Sequence, residues 1–192
     1  MITLIIVDCQ NDFLTGTLSV KGARRILEPI KEFIKKHSQE IAKIIFTVDW
    51  HPITHCSFVK QGGIWPQHCV QYTPGACIES KLLKFVHNQE IPYSVFPKGT
   101  YEDTEEYGAF SDPEFDIDQF GHRIYFDAQN QADATTDFVV CGIAGDYCVK
   151  ETIQNLLNLE LNVMVFTKGI ASIDDGSTLA RFIRDNNLKK IN

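Results

Sequence analysis

The sequence lacks the features of a membrane protein or a nucleic-acid-binding protein. Its 192 residues contain no apolar run of the roughly 20 residues that a spanning helix needs. Lysine and arginine number 18 against 25 aspartates and glutamates, a net charge of −7, and no basic stretch suits a phosphate backbone. The apolar N-terminal run ends at Asp8 and has no basic start, so it does not resemble a secretory signal. We expect a cytoplasmic protein that binds neither membrane nor nucleic acid.

Cysteine is present, but not in the spacing of a zinc finger or a dithiol redox motif. The six cysteines contain no C-x-x-C pair. Six cysteines in a chain of this length do not make a disulfide scaffold either, so we expect free thiols in a reducing compartment. With 44% hydrophobic residues the chain can bury a substantial core, and its length indicates a single domain over residues 1–192.

Apolar runs of strand length alternate with segments of helical periodicity along most of the chain. Strands are predicted at residues 3–7, 42–48, 93–96, 138–141, 162–166 and 188–191. Helices are predicted at residues 23–36, 80–87, 146–157 and 179–187. This alternation is typical of an α/β fold with a mainly parallel sheet, which carries its sites at the carboxyl ends of the strands.

Chemically capable side chains follow four of the predicted strands. Asp8 follows the first strand, Asp49 and His51 the second, Lys98 the third, and Cys148 the fourth after a glycine-containing turn. Because the carboxyl ends of parallel strands meet at one edge of a sheet, we expect these five side chains to share a site.

Cys148 is the candidate nucleophile. It lies in the segment CGIAGDYCV, residues 141–149, where a strand, a tight turn and a helix start follow one another. A helix N-terminus favours the thiolate, so we expect a lowered pKa for the Cys148 thiol, and N–H groups of the turn could receive an oxyanion. The alternative is a buried structural cysteine, as we expect for Cys141 within the preceding strand.

Two further side chains could serve that thiol. Asp8 is either a base or a cap, and Asp12 competes with it for the first role. Lys98 beside a carboxylate and a thiol would stabilise both anions, although a solvated surface lysine is the plainer interpretation.

A candidate metal site lies in the loop after the second strand. Asp49 and His51 are two positions apart, so their side chains point to the same side of an extended backbone. His55 and His68 follow in the same loop, and two or three histidines with a carboxylate suit zinc, iron or manganese. The same residues could instead be caps and hydrogen-bonded loop histidines.

Together these stretches resemble the nicotinamidase and pyrazinamidase branch of the isochorismatase-like cysteine hydrolases. The matching segments are VDCQNDF at 7–13, DWHPITHCSF at 49–58, WPQHCV at 65–70, KG at 98–99 and CGIAGDYCV at 141–149. They come in the family's order and span most of the chain. The resemblance implies a three-layer α/β/α fold with a six-stranded, mostly parallel sheet.

The resemblance also implies roles for individual residues. The catalytic residues would be Asp8, Lys98 and Cys148, and the N–H groups of Ala144 and Cys148 would receive the oxyanion behind a cis peptide bond. One divalent metal ion, zinc first with iron or manganese as alternatives, would bind in the loop after the second strand. Its ligands would be Asp49, His51 and His68, with His55 a ligand in some members only. The wall of the substrate pocket would comprise Phe13, Leu18, Trp65, Tyr107 and Tyr147.

The implied activity is metal-assisted hydrolysis of nicotinamide to nicotinate and ammonia in NAD salvage, with pyrazinamide as a second substrate. Asp8 would take the thiol proton, and Lys98 would hold Asp8 and Cys148 in charged form. Another amide or carbamoyl hydrolase of the superfamily would keep these residues and lack the metal set. A non-catalytic metal-binding protein and a redox sensor are further alternatives. The preference between the two amides and the formation of a homo-oligomer stay open.

Parts of the chain depart from the family's pattern. Gly145 stands where many relatives carry threonine or tyrosine, which predicts open space beside the nucleophile. The stretch after the third strand is longer than in the family, and we assign Tyr107 rather than Tyr101 to the pocket. Its acidic residues, 102–118, are interpreted as a solvated surface. Residues 112–137 match poorly, which predicts an altered lid or sheet edge.

Overall fold

In a computed structural model of the chain, which describes residues 1–111 and 136–192, six strands lie side by side in one sheet. They are β1 (Ile2–Val7), β2 (Ile41–Asp49), β3 (Tyr93–Lys98), β4 (Asp137–Ile143), β5 (Asn162–Ala171) and β6 (Lys189–Ile191). The order across the sheet is β3-β2-β1-β4-β5-β6, and each neighbouring pair is parallel. The predicted parallel α/β sheet is confirmed.

Helices cover both faces of this sheet. Within the described residues they are α1 (Asn11–Leu14), α2 (Leu27–Lys36), α3 (Ser80–His87), α4 (Lys150–Asn158) and α5 (Ser177–Asp185). The apolar sides of α1, α2 and α3 pack on one face, and those of α4 and α5 pack on the other, which confirms the three predicted layers. No helix in the described part of the chain is long and apolar enough to cross a membrane.

Strand β1 occupies the middle of the sheet, and all six of its residues are buried. Leu4 and Ile6 pack with the α2 layer, whereas Ile5 and Val7 pack with the α4 layer. A strand covered on both faces needs apolar residues at every position, which explains the unbroken run in the sequence.

Several boundaries differ from the sequence prediction, two of them beside candidate site residues. The helix predicted from residue 146 begins as a π-helical turn, Gly145–Val149, that leads into α4. Strand β3 runs through Pro97, which is tolerated because β3 is an edge strand that pairs with β2 alone among the described residues. The altered lid or edge predicted for 112–137 lies outside the described residues, apart from the last two positions, where β4 starts.

Candidate active site

The strand order reverses between β1 and β4, and the predicted catalytic side chains meet at that point. Asp8 follows β1, Lys98 ends β3, and Cys148 lies in the π-helical turn after β4. The Cys148 Sγ and carboxylate oxygens of Asp8 and Asp49 all lie within 4.8 Å of one another, and all three residues are buried. This crevice is where open α/β sheets bind their ligands.

Lys98 carries the positive charge at the centre of this cluster. Its Nζ lies 2.9 Å from Asp8 Oδ2 and donates a hydrogen bond to Asp49 Oδ1. The side chain is fully buried. Burial alone would lower the pKa of Lys98, but Asp49 and Asp8 outweigh it and raise that pKa well above its ordinary value. Lys98 therefore stays charged between the two carboxylates.

The two carboxylates around Lys98 are not equivalent. Burial raises the pKa of Asp8, and Lys98 only partly offsets this. For Asp49 burial acts in the same direction, but Lys98 and His51 outweigh it and hold the pKa well below its ordinary value. A raised pKa makes Asp8 the stronger base of the two, so Asp8 is the better acceptor for a thiol proton.

Asp8 also has one oxygen left to receive that proton. Thr47 Oγ1 donates a 2.6 Å hydrogen bond to Asp8 Oδ1 and fixes the carboxylate. Oδ2 pairs with Lys98 as an ion but accepts no well-aligned hydrogen bond from the part of the chain that is described. A buried acceptor with unused capacity beside a thiol is suited to proton transfer.

The environment of Cys148 differs from the one expected. Burial raises the pKa of its thiol well above the ordinary value, Asp8 and Asp49 raise it further, and Lys98 opposes them. The prediction of a lowered thiol pKa was therefore wrong, because burial and two carboxylates outweigh Lys98. A protonated thiol beside a basic carboxylate calls for general-base activation.

The turn that carries Cys148 has the backbone form implied by the resemblance. The peptide bond between Ile143 and Ala144 is cis. Beyond it, Val149 N donates a 3.0 Å hydrogen bond to Ala144 O and closes the π-helical turn around Cys148. Ala144 and Cys148, the proposed oxyanion residues, both line the same pocket.

Gly145 does not open space beside the nucleophile, so that prediction was wrong. A Cβ atom on Gly145 would lie 2.2 Å from Ser172 Oγ and 2.9 Å from Ile170 Cγ2. Those two side chains occupy the volume that a larger residue would take. The glycine thus permits close packing of the turn against β5 and the segment after it.

Asp49, His51 and His68 form a set of ligand atoms that fits a divalent metal. Asp49 Oδ2 lies 3.5 Å from His51 Nε2 and 3.7 Å from His68 Nε2. His51 Nδ1 donates to Gly99 O at 2.9 Å and His68 Nδ1 to Pro66 O at 2.8 Å, which directs both Nε2 atoms at the carboxylate. Ligands of a tetrahedral zinc ion with bonds of about 2.0–2.1 Å lie about 3.3 Å apart, close to these separations.

His55 stands outside this ligand set. Its Nε2 donates to Thr104 O at 3.0 Å, and its Nδ1 lies 2.7 Å from Ser57 Oγ, so both nitrogens have partners. Burial and the nearby His51 lower the pKa of His55, which keeps it neutral. Its ring stacks on that of His51, with centroids 4.1 Å apart. In this arrangement His55 packs against a ligand candidate and lies outside the set.

A pocket opens between the metal set and the cysteine. Its lining includes the three metal candidates, and all five predicted wall residues: Phe13, Leu18, Trp65, Tyr107 and Tyr147. Trp65 Nε1 donates a 3.0 Å hydrogen bond to Tyr107 Oη, and the Tyr147 ring packs against both. Tyr101 is exposed and outside the lining, so Tyr107 is the tyrosine that faces the pocket.

Sequence reasoning missed several residues that shape the site. Glu105 and Ile173 line the pocket. Gln10 clamps the Asp49 backbone, since Asp49 N donates to Gln10 Oε1 at 2.8 Å and Gln10 Nε2 donates to Asp49 O at 2.7 Å. Asp12, the competing candidate base, instead accepts a hydrogen bond from the backbone of Cys69, next to a metal candidate. The available signal for Gln10 was its position as a polar residue within the matching segment VDCQNDF.

Comparisons with known proteins find relatives of similar sequence and similar fold. A nicotinamidase of Escherichia coli (strain K12) is 30% identical over 187 residues, which cover 89% of this chain and 83% of that protein. The pyrazinamidase of Pyrococcus horikoshii in complex with zinc is 29% identical, with a TM-score of 0.79 over 99% of this chain and 98% of that one. A protein of L. infantum solved in complex with nicotinate is 30% identical, with a TM-score of 0.79 over 100% of this chain and 92% of that one.

The family itself follows from a match over nearly the whole length. Residues 3–186 match the model of the isochorismatase domain, and this range contains each candidate site residue described above. The chain therefore belongs to the isochorismatase domain family.

Proposed function

We propose that the chain is a nicotinamidase, a metal-assisted cysteine amidohydrolase that converts nicotinamide to nicotinate and ammonia and also accepts pyrazinamide. One observation carries the proposal: a single pocket contains the cysteine and the Asp49–His51–His68 set, and Asp8 and Lys98 lie directly behind it. The names of the relatives and the nicotinate in the L. infantum structure support the substrate class. We place the activity in NAD salvage in the cytoplasm.

The chemistry follows from Asp8 and Cys148. Asp8 removes the thiol proton as sulfur attacks the carboxamide carbon, and the tetrahedral oxyanion rests on the N–H groups of Ala144 and Cys148. Asp8 then gives the proton to the departing ammonia, which leaves a thioester on sulfur. A water molecule, deprotonated by Asp8, hydrolyses the thioester to the carboxylate and regenerates the thiol.

The other residues hold these groups and the substrate in place. Lys98 keeps Asp8 ionised before the attack, because the fixed ammonium favours the carboxylate. Trp65, Tyr107 and Tyr147 pack against the faces and edges of an aromatic ring. A zinc ion on the metal set would act as a Lewis acid that fixes the ring nitrogen and orients the amide.

Ammonia release from nicotinamide, measured before and after chelation, tests this proposal. We expect the purified protein to release ammonia, to lose that activity once mass spectrometry shows its metal removed, and to recover it on addition of zinc. Full activity in metal-free protein would favour another amide hydrolase of the superfamily. No release from metal-loaded, reduced protein would contradict the proposal outright.

We expect Glu105 to make the pocket bind the neutral substrate in preference to the anionic product. Burial raises the pKa of Glu105, but its carboxylate still places negative charge beside a pocket that must release an anionic acid. We expect Glu105→Gln to lower the inhibition constant of nicotinate about threefold to tenfold. The substitution removes the repulsion between the Glu105 carboxylate and the carboxylate of nicotinate, which solvent partly screens. The KM for neutral nicotinamide should change less than twofold, and inhibition assays measure both constants.

Glu102 offers the matched control, because it lies in the same loop, is exposed and does not line the pocket. Glu102→Gln removes the same charge without touching the pocket wall. Equal inhibition constants for wild type, Glu105→Gln and Glu102→Gln would show that Glu105 does not act on the product.

A further inference from the structure

Glu106 is an acidic loop residue whose two carboxylate oxygens are both engaged. Gly99 N donates a 2.8 Å hydrogen bond to Glu106 Oε2, and Ser111 Oγ donates a 2.7 Å hydrogen bond to Glu106 Oε1. The residue is half-buried, although its stretch of sequence was interpreted as a solvated surface. A carboxylate that accepts a hydrogen bond from the backbone just after β3 holds that part of the backbone in place and is not merely solvated.

The peptide that Glu106 binds lies against a metal candidate. Gly99 O accepts a 2.9 Å hydrogen bond from His51 Nδ1. A Cβ atom on Gly99 would lie 2.4 Å from His51 Cε1, and the φ of Gly99 is +59°, so glycine is required on both grounds. Gly99 therefore contacts the imidazole closely enough that a shift of its backbone must move the ring.

These contacts form one continuous connection. The Glu106 carboxylate holds the N–H of Gly99, the carbonyl of Gly99 holds Nδ1 of His51, and Nε2 of His51 faces Asp49. A partner that accepts the Nδ1 proton fixes the tautomer and rotation of a metal-binding histidine and makes its other nitrogen a better ligand. The Glu106 carboxylate, which accepts a hydrogen bond from Gly99 N, fixes the Gly99 peptide in turn.

We propose that Glu106 is a positioning residue for the metal site, which acts through Gly99 to hold the His51 imidazole in its ligand orientation. The inference rests on the proposed metal set and deepens it. Glu106 touches neither the metal position nor the substrate pocket. Its effect is on the affinity of the site for a divalent cation.

Zinc affinity, measured on the purified full-length protein by competition with a chromophoric chelator, tests this inference without any activity assay. We expect Glu106→Ala to weaken zinc binding about tenfold, within the range known for outer partners of metal-binding histidines. Glu106→Gln should restore affinity to within about threefold of wild type, because its amide oxygen still accepts from Gly99 N. Ser111→Ala, which removes the other hydrogen bond to the same carboxylate, should bind zinc like wild type.

The controls separate positioning from loop stability. Zinc binding that is unchanged in Glu106→Ala, or weakened equally in Ser111→Ala, would overturn the inference. If Glu106→Ala does not fold, Glu106→Asp carries the same test, since it keeps the charge but falls one methylene short of Gly99. His51→Ala identifies the site: equal zinc affinity in His51→Ala and wild type would show that the proposed metal set itself has failed.

Discussion

Replacing Cys148 by serine will lower kcat for nicotinamide by about 10⁴- to 10⁶-fold, the scale seen when a nucleophile is removed from an enzyme. The hydroxyl keeps the size and polarity of the thiol, but a carboxylate such as Asp8 is too weak a base to activate an alcohol. Burial already raises the pKa of the Cys148 thiol, which makes its deprotonation by Asp8 harder. A serine hydroxyl is less acidic still, so Asp8 cannot deprotonate it. Ammonia release measures the loss.

A second cysteine provides the control for this substitution. Cys141 lies within β4, is fully buried, and donates from Sγ to Ile5 O at 3.6 Å. Burial raises the pKa of its thiol, and Cys141 does not line the pocket. Cys141→Ala should therefore keep kcat within about twofold in the folded fraction. Wild-type turnover by Cys148→Ser would show that the reaction does not depend on the Cys148 thiol.

The intermediate gives an independent test of the same step. A thioester on Cys148 reacts with hydroxylamine, so wild-type protein in hydroxylamine should release a hydroxamic acid from nicotinamide in addition to the acid. Cys148→Ala, which has no nucleophile at this position, should release none. Hydroxamate from the alanine variant would place the acyl group somewhere other than residue 148.

The sheet and the strand-end residues were predictable because the signals for them are local. The apolar run before Asp8 and the helical spacing of residues 80–87 each follow from a few adjacent residues, and the structure reproduces that helix residue for residue. The rule that parallel strands end at one edge then brings Asp8, Lys98 and Cys148 together without any knowledge of the loops.

The parts that failed depend on residues far apart in the chain. The direction of the Cys148 pKa is set by desolvation and by carboxylates from β1 and β2, which local sequence does not reveal. The space beside Gly145 is filled by Ser172, 27 positions later. The sequence left the role of His55 open, and the partner of its Nε2, the carbonyl of Thr104, lies 49 positions away. Each of these contacts joins residues that are far apart in the sequence, so no local pattern reveals it.

The acidic loop shows the same limit in another form. Composition alone suggests that residues 102–106 are solvated, and for Glu102 this is correct. Glu105 is exposed as well but also lines the pocket, and Glu106 is half-buried and binds the backbone of Gly99. Three glutamates of one loop thus lie in three different environments, and the pattern of charges in the sequence does not distinguish them.

Replacing Lys98 by methionine will lower the free energy of unfolding by about 3–5 kcal/mol, the cost of breaking a buried ion pair. The substitution keeps most of the side-chain volume but leaves Asp8 and Asp49 without their shared cation. Two buried carboxylates then face each other in a medium that solvates neither. Urea unfolding of metal-free wild type and variant measures the difference, and the chelator prevents a bound ion from compensating.

A double-mutant cycle with Asp8 separates this cost from lost packing. Asp8→Asn alone should destabilise the protein less than Lys98→Met, because Lys98 still pairs with Asp49. In the double variant Asp49 is the single buried charge of the three, so we expect about 1–3 kcal/mol of the loss to be recovered. Strict additivity of the two losses would mean that Asp8 and Lys98 do not interact. An unchanged urea midpoint in Lys98→Met would contradict the buried charge cluster, on which the ionised state of Asp8 depends.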